Sequence, residues 1–597
     1  MTTISRSQAL QLGQDLRLLA EVPESWGLGA DRYFAQVQVF HLIHCLDEVR
    51  KQMHYDHYHA PQHGESAPPP EFMAHKNHCL HMLLENLLCQ SSSGVITHNW
   101  RETYHVPLAD WNPFVVSYTI GNMSDAQITT ALTGALSESA VLRPGSDEYE
   151  TDNGSYFSAF ENEIKPSFIA KPTTVKQVQD LILALRPYLL DGSCQVAVRG
   201  TGCTPFAGSA NIQNGVTIDT RGLKGITVAD DVVEVGAGET WETVYTELEK
   251  HGLTTAGGRV GRVGVAGLVL GGGLSMFSGR TGFACDSVLE FEVVLASGQV
   301  VRASAEANPD LWVALRGGIN NFGIVTSLKL RIFKAGEIWG GVTYYMPETF
   351  SQLARAACDF ALNEKDQDAH VMASAGYGFG HQVVTCVMYH VQGKDNPPSL
   401  QRFTALEPQI KQMSTMRTST HLGFCDELSK FSSDGLRQYW ASITIKPDVE
   451  LMEYFYEKWQ STLLKVKDAE GFIFSFGFHP ITKALLEASQ RAGGNAMDIP
   501  PSDGPLFVVL INPAWKLPGD DARIFAEVED LVAELRSLAR DKGLLHRYIF
   551  TNYGYAKDDV VAGYGEENVS NLRAASKKYD PEGIFQNAVP GGFKLKA

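Results

Sequence analysis

Residues 257–282 read GGRVGRVGVAGLVLGGGLSMFSGRTG, ten glycines in 26 positions against 55 in all 597. Glycine loses more backbone freedom on folding than any other residue, so it weakens the interior of a helix or strand. A run this dense marks a backbone that must turn sharply, or lie close against something with no Cβ between. A β-rich run, FACDSVLEFEVVLASG, follows at once. Residues 198–212, VRGTGCTPFAGSANI, repeat the theme: an apolar strand, then small residues around a turn. Successive N–H groups in such a loop form a concavity that suits a diphosphate. One loop of this kind is weak evidence, because most glycine-rich loops are plain turns.

The flanking pattern supplies the fold class. From about residue 147, short β-rich runs alternate with glycine turns: CQVAVRG (194–200), GVTIDT (215–220), VVEVGAG (232–238) and EFEVVLASGQVV (290–301). Helical patterns at 175–188 and 240–251 lie between them, which is an α+β arrangement. A second β-rich region covers 337–390, and longer helical stretches such as 520–542 follow. A chain of 597 residues exceeds one hydrophobic core, so two to four domains are expected. The net charge of -18 offers no basic surface for phosphates and excludes a nucleic-acid partner. No run of 18 apolar residues occurs, so no membrane span is expected. The start lacks a secretory pattern and the nine cysteines are scattered, which predicts a cytoplasmic protein with reduced thiols.

Two more segments complete the pattern: LWVALRGGINNFGIVT at 311–326 and YDPEGIFQNAVPGGFKL at 579–595. The four, in this order and at these intervals, resemble the fungal berberine-bridge-enzyme-like branch of the vanillyl-alcohol oxidase superfamily. These are FAD-linked oxidases with a PCMH-type FAD-binding domain. The resemblance covers residues 114–597. It implies a two-lobed FAD-binding domain over 114–335 and an antiparallel-sheet substrate domain over 336–544. A C-terminal segment, 545–597, returns to the FAD domain. The ADP half is implied over Arg199, Gly200, Thr201, Gly202, Cys203, Thr204 and Gly208. The flavin is implied against Gly258, Val260, Gly264, Gly267, Leu268, Gly271, Gly272, Gly273 and Ser275. Ile324 and Val325 are implied on the adenine or ribose side, and Asn552 and Tyr553 at the isoalloxazine.

In one place the sequence departs from the family. Many relatives bond the flavin to a histidine where this chain has Cys203, and to a cysteine that residues 259–265 lack. Non-covalent FAD is therefore expected. The cofactor accepts a hydride and the protein supplies orientation and a base. Tyr553 and Tyr555, in NYGY, and Tyr439, beside Trp440 in RQYWASITIKPD, are the candidate catalytic residues, with Asp448 as an assisting group. The competing reading is that these aromatics only pack the sheet. His479, in FGFHPIT, reads as a packed strand-end residue more than as a base.

Eleven of the 18 histidines lie in residues 1–105. Two pentads, HLIHC and HKNHC, put His41 and His44, then His75 and His78, at helical i, i+3 spacing, each followed by a leucine-rich helical pattern. Two such helices packed together converge four imidazoles, a set suited to copper or another transition metal. The pentads resemble the UstYa-like proteins of fungal biosynthetic pathways, and residues 1–112 are expected to form a small helical segment of that kind. The expected function is FAD-dependent dehydrogenation or oxidative cyclisation of a small-molecule intermediate of fungal secondary metabolism, with O2 as electron acceptor. Two alternatives stay open: a non-redox cyclase that keeps FAD, and metal-dependent oxidation at the HxxHC pair.

Overall fold

The computed structural model describes the strands Thr2–Ser5, Arg32–Val37, Val95–Asn99 and Leu108–Ala109, and the chain from 122 to 595 apart from residue 432. It divides into two units, Met1–Gln127 and Ile128–Ala597. In the first unit the four strands form one antiparallel sheet in chain order. The helices expected there, with His41, His44, His75 and His78, lie outside the described residues. What is described of that segment is strand.

The second unit is a mixture of helices and three main sheets. The first sheet has the order Val141–Leu142, Phe168–Ala170, Val216–Asp219, Val196–Arg199. Its last three strands are parallel. The helix Val175–Leu190 makes the crossover between two of them. Thr174 caps it, the hydroxyl accepting from Gln177 N at 3.2 Å. Val178, Leu181, Ile182, Leu185 and Leu189 form one buried stripe along it. Each aliphatic side chain so buried contributes about 1.5–3 kcal/mol.

Parallel pairing also explains the first glycine loop. The chain leaving Arg199 must travel back along its own strand before Val216 can pair beside it. Residues 200–215 make that return, and the glycines sit at the carboxyl end of the strand Val196–Arg199. The second sheet is antiparallel, with the order Val300–Ser304, Val288–Val294, Ile324–Arg331, Val232–Gly236, Ile226–Ala229.

The third sheet has eight strands, all paired antiparallel, taken from between Ile338 and Trp515. Its two faces differ because side chains alternate along a strand. In the strand Ile473–Ile481, Phe474, Phe476 and Phe478 enter a core shared with the helices Phe350–Asn363, Val449–Val466 and Asp521–Asp541. Ser475, Gly477 and His479 stand on the other face. Ile481, Leu506, Val508 and Met372, also on that face, pack into the core of the loop-bearing region. One side of the third sheet is thus covered by helices and the other by the glycine loops. Among the described residues no helix is long and apolar enough to cross a membrane.

Candidate active site

A cavity of about 330 Å³ runs along the glycine loops to Trp440, which lies between two strands of the third sheet. Gly200, Thr201, Gly202, Cys203 and Thr204 line it from the first loop. Gly258, Val260, Gly264, Gly267, Leu268 and Gly271 line it from the second. Ile324 and Val325 enter from a strand of the second sheet, and Asn552 and Tyr553 from the short turn Thr551–Tyr553. The structure brings these fifteen sequence-predicted residues to one place.

The lining fits a diphosphate-bearing cofactor such as FAD. The backbone N–H groups of Thr201, Gly202, Cys203 and Thr204 donate to no acceptor among the described residues. They form the anion-binding concavity expected of such a loop. A Cβ on Gly200 or Gly267 would meet no protein atom within 4 Å, so both backbones face open space. Gly202 has φ +74°, and a Cβ there would come within 2.6 Å of the Tyr156 ring. Only glycine meets both demands. Asn552 ties the C-terminal segment to this wall: its Oδ1 accepts from Gly273 N at 2.9 Å, and its Nδ2 donates to Leu268 O at 3.2 Å.

The remaining predicted residues lie off the cavity, each for a visible reason. Arg199 is fully buried behind its loop, donating to Asp152 O and Ser155 O at 2.7 and 2.9 Å, with its guanidinium over the Tyr156 ring. It anchors the loop from below. The N–H of Gly208 is already taken by Glu161 Oε2 at 2.9 Å. Gly272 and Gly273 give close packing: a Cβ would strike Met497 at the first and Leu268 and Ala284 at the second. Ser275 is buried in a turn, its N–H donating to Ser278 Oγ at 2.9 Å. Tyr439 and Tyr555 stack on each other at 4.3 Å within an aromatic cluster that includes Phe525. Burial pushes both phenols up from their ordinary range. Both rings sit in this packed cluster, off the cavity lining. Asp448 caps the helix Val449–Val466, accepting from Leu451 N at 2.8 Å.

Two groups that the sequence did not single out, Arg259 and Glu161, and one that it did, Trp440, shape the site. Arg259 lines the cavity, and its Nη2 donates to Tyr553 Oη at 2.8 Å. Its Nη1 reaches His479 Nδ1 at 3.2 Å and also Met372 Sδ. Burial above all, then the Arg259 charge, holds the His479 imidazole well below its ordinary range. Trp440 lines the cavity and meets Tyr553 edge-on at 5.5 Å. Glu161, fully buried, accepts from Gly208 N, Ser209 Oγ and Ala210 N at 2.9, 2.6 and 2.7 Å. Burial raises its pKa despite these bonds.

Glu161→Ala leaves three buried donors without an acceptor, at roughly 1–3 kcal/mol each. The expected result is a loosened loop and a marked loss of retained flavin on gel filtration. Glu161→Gln keeps one acceptor and falls between. Equal flavin retention in all three proteins would remove Glu161 from loop positioning.

Asp366, Asp368 and His390 cluster as three potential metal ligands among the described residues. His390 Nδ1 accepts from Gln392 N and Lys394 N, both at 3.3 Å. In the neutral ring the proton is then on Nε2, which faces Asp366 Oδ2 at 3.3 Å. That contact does not meet hydrogen-bond geometry, and the cluster is a close approach of the three side chains.

The comparisons agree with this geometry. The FAD binding domain family matches residues 166–304, and the family described as mycotoxin biosynthesis protein UstYa matches residues 2–117. An FAD-dependent monooxygenase from Cochliobolus heterostrophus, tpcD, is 38% identical over 417 residues, covering 68% of this chain and 80% of that protein. The FAD-dependent monooxygenase FUP4 of Fusarium proliferatum is 34% identical over 456 residues, covering 74% and 87%. Among solved structures, the carbohydrate oxidase from Microdochium nivale superposes with a TM-score of 0.65 at 20% identity, over 79% of this chain and 100% of that one. With its glycine-walled cavity and a UstYa-type segment ahead of it, the chain belongs to the family of these fungal FAD-dependent monooxygenases, FAD-linked oxidoreductases of the berberine-bridge-enzyme-like, PCMH-type fold.

Proposed function

We propose that this chain uses non-covalently held FAD to oxidise a small-molecule intermediate of fungal secondary metabolism, by dehydrogenation or oxidative cyclisation, with O2 as the electron acceptor. The observation that carries the reading is the continuity of one cavity from the free N–H groups of residues 201–204 to Tyr553, Trp440 and Arg259. Residues 114–335 and 545–597 hold the cofactor, and 336–544 supply the sheet face that covers the substrate. Bound FAD supplies the hydride acceptor.

The protein's own residues do the rest. Residues 201–204 bind the diphosphate through backbone donors. Asn552 fixes the segment that carries Tyr553. As the phenolate, held by a hydrogen bond from Arg259 Nη2 at 2.8 Å, Tyr553 takes the proton of a substrate hydroxyl and becomes the neutral phenol. Cys203 supports the non-covalent reading. Burial raises its thiol pKa, and a protonated thiol is a poor nucleophile. In the N-terminal segment, His41, His44, His75 and His78 are the proposed ligands of a transition metal.

One preparation tests the set. Purified protein is expected to show a flavin spectrum that moves to the supernatant on acid precipitation, and its product is expected to weigh two hydrogens less than its substrate. Colour in the pellet sinks the non-covalent assignment. An isomeric product favours the non-redox cyclase, and an added oxygen favours monooxygenation. Metal analysis of the same sample checks the histidine set: a stoichiometric metal supports it, and a metal-free active protein removes it.

A further inference from the structure

We infer that Arg259 anchors a negatively charged group on the substrate, so that the substrate is a monoanion carrying a carboxylate or an ionised enol. This rests on the proposed oxidation and deepens it.

The first ground is charge. Arg259 is 9% exposed, and a guanidinium is a permanent cation. Its partners are a thioether, an imidazole nitrogen and a phenol oxygen. Among the described residues no carboxylate pairs with it. Elsewhere the molecule supplies buried arginines with acids: Arg316 bonds Asp286 at 2.8 Å, and Arg199 has Asp152 and Asp219 in its field. The Tyr553 oxygen is a counter-ion only when it is ionised, so with the neutral phenol the buried cation is left unpaired, a strongly disfavoured state that a bound anion relieves. The two nearest imidazoles stay uncharged, His370 being lowered to about 3 by burial and then by Arg259.

The second ground is donor geometry. Nη1 spends both hydrogens on Met372 and His479, and Nη2 spends one on Tyr553. The Nε–H and one Nη2–H bond nothing among the described residues. A guanidinium with two such donors left offers the bidentate grip that matches a carboxylate.

The third ground is space beside it. In the register of the third sheet, Ser374 pairs with Gly477 and Gly376 with Ser475, so four small residues adjoin Met372 and His479 on the open face. A Cβ on Gly376 would meet nothing within 4 Å. His479 Nε2 lies 3.2 Å from where a Gly477 Cβ would stand. Because His479 Nδ1 accepts from Arg259, Nε2 carries the proton of the neutral ring and aims a donor into this recess. Asn512, paired with Ser475, brings a buried Oδ1 with no partner to the same face. A cation and a neutral N–H beside these small residues suit a planar acid.

The test uses FAD-loaded full-length protein and benzoate as the probe, with benzamide as its neutral isostere. Flavin absorbance is followed during titration. Benzoate is expected to perturb the spectrum saturably and benzamide to bind at least about tenfold more weakly, the range for a hydrogen-bonded charge. Arg259→Gln is expected to keep its flavin and lose at least about tenfold in benzoate affinity, with Arg259→Lys between them. Equal binding of the two probes by the unaltered protein overturns the inference, whether or not the variants fold. So does unchanged benzoate affinity in Arg259→Gln; a lowered flavin reduction potential in that case assigns the guanidinium to the reduced cofactor instead. A protein that cannot take up FAD at all fails the proposed function, and the inference falls with it.

Discussion

Arg316→Met is expected to lower the unfolding free energy by about 3–5 kcal/mol, the usual range for breaking one side of a buried ion pair. Arg316 and Asp286 have fully buried side chains and meet at 2.8 Å. The guanidinium also donates to Cys285 O at 3.0 Å and Ala492 O at 3.1 Å, and lies over the Trp312 ring. Asp286 accepts a further bond from Asn495 Nδ2 at 3.0 Å. Removing the cation therefore leaves a buried carboxylate and two carbonyls short of donors. The cost reaches the cofactor site, because Ser287 and its neighbours lead from the second glycine run into the strand Val288–Val294. Denaturant melts of Arg316→Met, Asp286→Leu and the double variant decide the matter. The double variant is expected to lose less than the sum of the singles, since the two residues form one network. A single variant within about 1 kcal/mol of the parent, the central value for an ordinary substitution, would show that the pair is not a structural lock.

The glycine loops were legible in the sequence because their chemistry is local. A stretch such as RGTGCT shows its need for backbone freedom without reference to anything far away. Fifteen of the family-implied positions accordingly meet at one cavity. Where a side chain's placement was not legible in the sequence, the deciding fact was long-range. Tyr439 and Trp440 are adjacent between two strands of the third sheet, and one side chain enters the helix-covered core while the other lines the cavity. Nothing in QYW says which face is which. Gly208 looked available until Glu161, 47 positions upstream, took its N–H. Arg259 sat inside a quoted motif, but its role depends on Met372, His479 and Tyr553, brought together by a register that no single stretch encodes. Histidine spacing did mark the N-terminal segment, and the matching family covers residues 2–117.

Their different surroundings also separate the three candidate tyrosines by experiment. Tyr553→Phe is expected to reduce kcat by about 10²–10⁴, the range for losing a positioned proton acceptor, with little change in KM. Its hydroxyl is the one that meets Arg259, at 2.8 Å, on the cavity wall. Its ring is held by Phe550 at 4.8 Å, His479 at 5.4 Å and Trp440 at 5.5 Å, so the phenylalanine keeps the packing and loses only the oxygen. Tyr555→Phe and Tyr439→Phe change hydroxyls inside the aromatic cluster and are expected to stay within about twofold in kcat, as for substitutions remote from the chemistry. Single-turnover flavin bleaching under anaerobic conditions reads the reductive step directly, without the oxygen step that follows. If Tyr553→Phe bleaches at the parent rate, the proton goes elsewhere and Tyr553 is not the base. If Tyr555→Phe is the slow one, the aromatic cluster opens onto the substrate in turnover, and Tyr555 rather than Tyr553 takes the proton.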